Sequence, residues 1–234
     1  MRDRRPLLGL LLAAAALVLA ACGGGTGDAG STPPPGTTTP PPTSTVPAAT
    51  AYSIGKLVAD SNAGGAAHVD ANLVNAWGVA FNPTAFVWVA DRGSNKSTLY
   101  DGNGVAQAPV VAIPASPGAA SSPTGIVFNG GTGFRISQGG ASGTSLFLFA
   151  GAGGTISAWS PNVNFTNAVL VVDDSPAGTI YTGLAITGAG DRLFAADFRH
   201  GTVNVFDGGF ARVATAAGAF TDQTLPAGYA PYGI

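Results

Sequence analysis

Short apolar segments separated by turn residues recur along most of this chain. Between Ala76 and Gly104 three such segments follow one another, with the sequences GVAF, FVWVA and STLY. They are closed by Asn-Pro-Thr, by Asp-Arg-Gly-Ser-Asn and by Asp-Gly. Runs of four to six residues rich in Val, Phe, Trp and Tyr and bounded by Gly, Pro, Asn and Asp are typical of consecutive antiparallel strands.

The same pattern then repeats at a period near fifty residues. A glycine marks the first strand of each copy, and these glycines are spaced by 47, 58 and 50 residues: Gly78, Gly125, Gly183 and Gly233. A further apolar run ends each of the first three copies, at residues 109–113, 168–172 and 211–214. Four short strands per unit at this period predict the blades of a β-propeller. An irregular β-sandwich is the alternative, but a sandwich does not need a repeat.

An additional strand is predicted before the first complete unit. The segment Lys56–Ser61 matches the outer-strand runs VVAIPAS and VLVVDDS of the later units. Propellers often use such an N-terminal strand to complete the last blade, which removes an exposed sheet edge. The sequence therefore predicts an all-β propeller of four-stranded blades, with about three blades plus this outer strand. Because stable propellers have four to eight blades, we expect a truncated form or an open arc.

Composition supports an all-β domain and narrows the range of partners. The chain has 234 residues with 35 Gly and 12 acidic residues, all of them Asp. Asp favours turns, whereas Glu favours helices. The formal net charge is −2, and no Lys/Arg run occurs, so nucleic-acid binding is not expected.

The N-terminus has the pattern of an export signal. Three arginines precede the apolar run Leu7–Leu19, which is too short for an ordinary membrane span but suits a secretory signal. The run ends in Leu-Ala-Ala-Cys, which resembles the bacterial lipobox. We therefore expect a signal peptide at residues 1–21 and lipid attachment to Cys22; a chance cysteine is the alternative. The next residue is Gly23, which resembles the pattern of outer-membrane lipoproteins of Gram-negative bacteria.

Residues 22–50 are predicted to be the lipidated cysteine followed by a tether. Seven of the residues from 23 to 50 are Pro, and most others are Gly, Thr, Ser or Ala. Such a composition cannot bury a core and favours extended, disordered chain. The propeller domain is expected over residues 51–234, held in the cell envelope by its lipid and facing the periplasm from the outer membrane.

Four residues are candidates for contact with a ligand. They precede the repeated glycines and would stand around the propeller axis: Trp77, Thr124, Thr182 and Tyr232. A ring of aromatic side chains and hydroxyl groups could hold a sugar or another small polar molecule. The alternative is that the two aromatic residues simply pack between blades.

The repeated aspartates are weaker candidates. Asp91 and Asp197 occupy equivalent strand ends, as do Asp101 and Asp207. Asp in such places usually caps backbone N–H groups of turns. A Ca²⁺ site would need six to eight converging oxygens, so we expect no cofactor, with Ca²⁺ as the alternative. No HExxH, close His pair or G-x-S-x-G motif occurs, so no catalytic residue is assigned.

The segments AWGVAFNP, PTGIVFN, LFAADFRHGTVNVFD and LPAGYAPYGI resemble an uncharacterised bacterial family of predicted propeller proteins, some of which carry a PEP-CTERM sorting signal. More distantly, the chain is similar to NHL-repeat and lactonase-type propellers. The first resemblance implies a propeller fold and export, without an activity.

Two functions remain open at this point. We favour a non-catalytic binding or scaffold module of the cell envelope, with a small polar or carbohydrate ligand or an envelope protein as partner. The alternative is a metal-dependent lactonase- or esterase-like hydrolase of the six-bladed type, whose ligand carboxylates would have to be Asp in this chain.

Overall fold

Three four-stranded antiparallel sheets follow one another in the computed structural model, which describes residues 53–234. The predicted signal peptide, Cys22 and the predicted tether lie outside the described residues. The first sheet has the order β3-β4-β5-β6, with strands Ala76–Phe81, Val87–Asp91, Lys96–Tyr100 and Ala106–Ala112. The second contains β7, β10, β11 and β12, at Pro123–Phe128, Phe147–Gly151, Thr155–Trp159 and Val169–Asp173. The third contains β13, β14, β15 and β16, at Tyr181–Ile186, Arg192–Asp197, Thr202–Asp207 and Arg212–Val213.

Each sheet is built in chain order from an inner to an outer strand, as propeller blades are. The predicted all-β propeller fold is therefore confirmed. Burial follows this order: the middle strands β10 and β11 are buried throughout, whereas the outer strand β6 alternates. In β6, Pro109 and Val111 point inward, while the neighbouring Val110 is exposed.

The middle sheet divides its side chains between two hydrophobic cores. In β10, Phe147 and Phe149 pack in the core toward the first sheet, whereas Leu148 and Ala150 pack in the core toward the third. This division follows from the period of two along a strand, because successive side chains point to opposite faces. In the first core, the ring of Trp88 stacks on Phe147 with centroids 4.3 Å apart.

The inner strands of neighbouring sheets approach one another through their glycines. A Cβ atom added to Gly78 would lie 2.6 Å from the carbonyl oxygen of Thr124. A Cβ atom on Gly125 would lie 2.8 Å from the backbone nitrogen of Leu184. Neither position can hold a side chain without separating two strands, which explains why both are glycine.

Two elements differ from the sequence-based description. Within Lys56–Ser61, the structure has only the two-residue strand β1, Val58–Ala59, which pairs in parallel with β2, His68–Val69, and not with an outer strand of the three sheets. A hairpin of β8, Arg135–Gln138, and β9, Ala141–Thr144, is inserted between β7 and β10. This insertion accounts for the longer spacing of the second repeat. Two short 3₁₀ turns, Asn62–Gly64 and Ser175–Ala177, complete the regular structure.

The first sheet leaves apolar side chains uncovered on one face. Val79 is 62% exposed, whereas the equivalent residues of the next two sheets, Ile126 and Leu184, are 7% and 6% exposed. In the described part of the chain, therefore, the first sheet lacks the neighbour that the second and third sheets have on this side. The number of blades in the whole protein stays a prediction. Among residues 53–234, no helix is long and apolar enough to cross a membrane.

Candidate functional site

The four residues selected from the repeat line one concave surface. It has a volume of about 570 Å³ and lies where the inner strands begin, so that Trp77, Thr124, Thr182 and Tyr232 each contribute to its wall. The repeated glycines form the wall beside them. We call this surface the axial concavity.

Two aromatic residues of the axial concavity contact each other. The ring centroids of Trp77 and Tyr232 are 5.9 Å apart, and Tyr232 also meets Phe198 edge-on at 5.6 Å. These three rings form a continuous series, which we call the aromatic row. Tyr232 is 49% exposed and Phe198 41% exposed, and neither belongs to the two hydrophobic cores. The row thus leaves apolar ring surface accessible to a ligand.

Trp77 is held in place by polar groups at its edge and on its face. Its indole Nε1 donates a hydrogen bond of 3.1 Å to the side-chain oxygen of Asn75. The guanidinium carbon of Arg92 lies 4.5 Å from the centroid of the indole ring, which is the geometry of a cation–π contact. Arg92 follows Asp91 at the end of β4 and so extends the row by one cation.

The two threonines of the site are used differently. The hydroxyl of Thr124 contacts two carbonyl oxygens, that of Tyr181 at 2.8 Å and that of Ala150 at 3.2 Å. The first of these bonds links the second sheet to the third. The hydroxyl of Thr182, in contrast, is buried and has no hydrogen-bond partner among the residues that the structure describes. This oxygen is shielded from solvent, so Thr182 contributes to the wall of the axial concavity without presenting its hydroxyl to a ligand.

The repeated aspartates have separate structural roles. Asp91 is fully buried, and its Oδ2 accepts a hydrogen bond of 2.8 Å from the hydroxyl of Thr98. Burial raises the pKa of Asp91 to about 7, the charge of Asp70 adds to this shift, and the bond from Thr98 opposes it. Asp197, the equivalent residue of the third sheet, instead lies 2.7 Å from Nδ1 of His200.

Asp101 and Asp207 cap turns, as expected from the sequence. Each accepts two backbone N–H bonds through its Oδ1 atom, all four of them 2.9 Å long. Within residues 53–234, no group of three or more His, Cys, Asp or Glu side chains is arranged to hold a metal ion.

A second concave surface adjoins the aromatic row. It has a volume of about 480 Å³ and is lined by Phe198, Arg199, His200 and Tyr229, among others. Sequence reasoning did not select these residues, nor did it select Arg92. The signal was present, because the turns after β4 and β14 read Asp-Arg-Gly and Asp-Phe-Arg-His-Gly, each placing an arginine just after the repeated aspartate.

The strand order and the axial concavity together define a propeller-type repeat domain. No family model matches the chain. It is 29% identical over 189 residues to an uncharacterised protein of Acanthamoeba polyphaga mimivirus, covering 80% of this chain and 47% of that protein. A second uncharacterised mimivirus protein is 32% identical over 173 residues, which is 72% of this chain and 46% of that protein. The chain thus spans about half the length of these relatives.

These relatives are viral, so the bacterial origin expected from the sequence stays a prediction. Solved structures give fainter similarities. One is a catalytically inactive virginiamycin B lyase from Staphylococcus aureus with quinupristin, which is 12% identical. The match covers 68% of this chain and 44% of the lyase chain, with a TM-score of 0.44. Kuenenia stuttgartiensis hydrazine synthase is 13% identical; the match covers 70% of this chain and 40% of the synthase chain, with a TM-score of 0.45.

Proposed function

We propose that this protein is an exported, lipid-anchored propeller that acts as a non-catalytic binding module of the cell envelope. Its ligand is a small polar molecule or carbohydrate, bound at the axial concavity. The observation that carries this proposal is the exposed aromatic row, of which Trp77 and Tyr232 line one concave surface. Sugars offer both an apolar ring face and hydroxyl groups, so they suit such a surface.

Binding rather than hydrolysis fits how the polar groups of the site are used. The hydroxyl of Thr124 is engaged by two carbonyl oxygens, and that of Thr182 has no hydrogen-bond partner among residues 53–234. A nucleophile would need a general base within hydrogen-bond reach. The single histidine near the aromatic row, His200, is instead held by Asp197. These contacts support binding over hydrolysis at the axial concavity.

The binding role is tested with a panel of neutral and charged oligosaccharides, using isothermal titration calorimetry on the detergent-solubilised full chain. Removing an aromatic face, as in Trp77→Ala or Tyr232→Ala, should weaken binding by about tenfold, because a ring stacked on a ligand contributes on the order of 1 kcal/mol. Phe165→Ala is the matched control, since Phe165 is a ring that is 53% exposed outside the axial concavity. Equal affinities of all three variants and the parent would contradict this site.

The membrane anchor is tested separately from ligand binding. Changing Cys22 to Ala removes the thiol that would carry the lipid, so palmitate labelling should be lost and the domain should move to the soluble fraction. Ser31→Ala, within the tether, is the control and should remain in the membrane fraction. If the parent protein took up no palmitate, the lipid anchor would be wrong, but the binding proposal would stand.

A further inference from the structure

The arginines beside the aromatic row lack acidic partners. Three other basic side chains of the described residues are paired with carboxylates: Arg192 with Asp191, His200 with Asp197 and Arg212 with Asp174. Within residues 53–234, neither Arg92 nor Arg199 makes such a pair. An unpaired guanidinium is common on a protein surface, so what matters is where these two lie.

Each arginine has an aspartate as a near neighbour in sequence, and in both cases that aspartate faces elsewhere. Asp91 precedes Arg92, but it is fully buried and accepts its hydrogen bond from Thr98. Its raised pKa also reduces its negative charge near neutral pH. Asp197 is paired with the imidazole of His200 at 2.7 Å. In this fold, therefore, neither of these nearby carboxylates pairs with the guanidinium group of Arg92 or Arg199.

The two cations lie at the two ends of the aromatic row. Arg92 stacks on Trp77, Trp77 contacts Tyr232, and Tyr232 contacts Phe198, at 4.5, 5.9 and 5.6 Å between the groups. Arg199 follows Phe198 directly and lines the second concave surface with it. Its Nε lies 3.3 Å from the Cβ position of Gly178, so its stem lies against that turn. Cations and rings thus form one extended strip.

We propose that this strip binds an acidic carbohydrate, an oligosaccharide whose sugar rings carry carboxylate groups. The proposal rests on the proposed binding function and names the class of its ligand. Sugar rings would stack on the row, while carboxylates would accept bidentate hydrogen bonds from the guanidinium groups.

The overall charge of the chain favours a sugar acid over a nucleic acid. Rings and arginines also bind single-stranded nucleic acids, but those sites lie in broadly positive grooves. Here the whole chain carries a formal charge of −2, and its cations at the site are few. A ligand with separated carboxylates matches two separated guanidinium groups better than a continuous chain of phosphates does.

The test compares trigalacturonic acid with its methyl ester, which has the same rings without the charges, by calorimetry on the detergent-solubilised full chain. The acid should bind about tenfold tighter than the ester, since a hydrogen bond to a charged group is roughly twice as strong as a neutral one. Arg92→Gln and Arg199→Gln should each weaken binding of the acid more than binding of the ester. Arg135→Gln, an exposed arginine on the inserted hairpin, is the matched control and should change neither.

Salt and a second ligand class complete the experiment. Raising NaCl from roughly 0.05 to 0.5 M should weaken binding of the acid but not binding of the ester, because only the charged contacts are screened. Equal binding of acid and ester would overturn the acidic-ligand inference and leave the binding function standing. The same conclusion would follow if neither bound but another sugar of the panel did. If no member of the panel bound, both the acidic-ligand inference and the binding function would be overturned. Tighter binding of an oligothymidylate than of the acid would overturn the carbohydrate class.

Discussion

The close approach of the inner strands makes Gly125 a sensitive position for the stability of the domain. In Gly125→Ala, the new Cβ would lie 2.8 Å from the nitrogen of Leu184 and 3.0 Å from the carbonyl carbon of Gly183. Both are backbone atoms, so no rotamer change can make room. Ordinary contacts begin near 3.4 Å, which means that β7 and β13 would have to separate by about 0.6 Å.

The separation would also affect the bond between the hydroxyl of Thr124 and the carbonyl oxygen of Tyr181, which joins the same two strands at 2.8 Å. Overpacking of a dense interior costs about 1–3 kcal/mol, and weakening one hydrogen bond adds about 1 kcal/mol. We therefore expect a loss of about 2–4 kcal/mol in the free energy of unfolding. For a domain of this size that lowers Tm by about 4–16 °C.

Urea unfolding followed by tryptophan fluorescence measures this loss, because Trp88 and Trp159 lie in the core between the first two sheets. The matched control is Gly188→Ala, at an exposed glycine with no atom within 4 Å of the added Cβ. That change should leave stability within about 0.5 kcal/mol of the parent. If Gly125→Ala melted within about 1 °C of the control, the inner strands could not approach as described.

Two further predictions concern the cores and the buried carboxylate. Ile126→Ala should cost about 2–4 kcal/mol, whereas Val79→Ala, at the equivalent but exposed position, should cost less than about 1 kcal/mol; equal losses in thermal melts would mean that the two faces are buried alike. Burial raises the pKa of Asp91 from 3.8 to about 7, so the folded state holds its proton more tightly than the unfolded state does. Its contribution to stability is then complete below about pH 4 and lost as the pH rises to about 7. Asp91→Asn should remove this part of the pH dependence of unfolding, while Asp60→Asn, at the surface, should retain it; a parent protein whose stability does not fall over this range would refute the assignment.

The repeat made the blades predictable, because each inner strand carries the same glycine for the same physical reason. The inserted hairpin was missed, although its Gly139-Gly140 turn is a recognisable signal. Both glycines have positive φ, 59° and 86°, which suits a tight two-residue turn. The segment around Val58 matched an outer strand in composition, but pairing partners depend on tertiary structure, and that strand pairs with His68–Val69. Local pattern predicts strands more readily than it predicts their neighbours.

The site shows the same division between local and tertiary information. Repeat equivalence was sufficient to select four residues that line one surface, since equivalent positions of successive blades stand around one axis. It could not identify the arginines, because a guanidinium becomes available only when the nearby carboxylates are engaged elsewhere. Asp91 is buried against Thr98 and Asp197 is held by His200, and neither engagement can be read from the turn sequences.

The two threonines of the axial concavity occupy equivalent positions of the repeat but differ in their hydrogen bonds. Thr124 and Thr182 both precede the repeated glycine, so their sequence contexts are nearly the same. Thr124 reaches the carbonyl oxygen of Tyr181 because β13 runs beside it as a regular strand. Next to Gly183 in β13 lies the segment Tyr232–Ile234, which has no regular strand structure, and the hydroxyl of Thr182 finds no partner in the described residues. The exposed surface on this side is the ring of Tyr232, so the proposed ligand would contact the side of the axial concavity at Tyr232 through apolar ring surface.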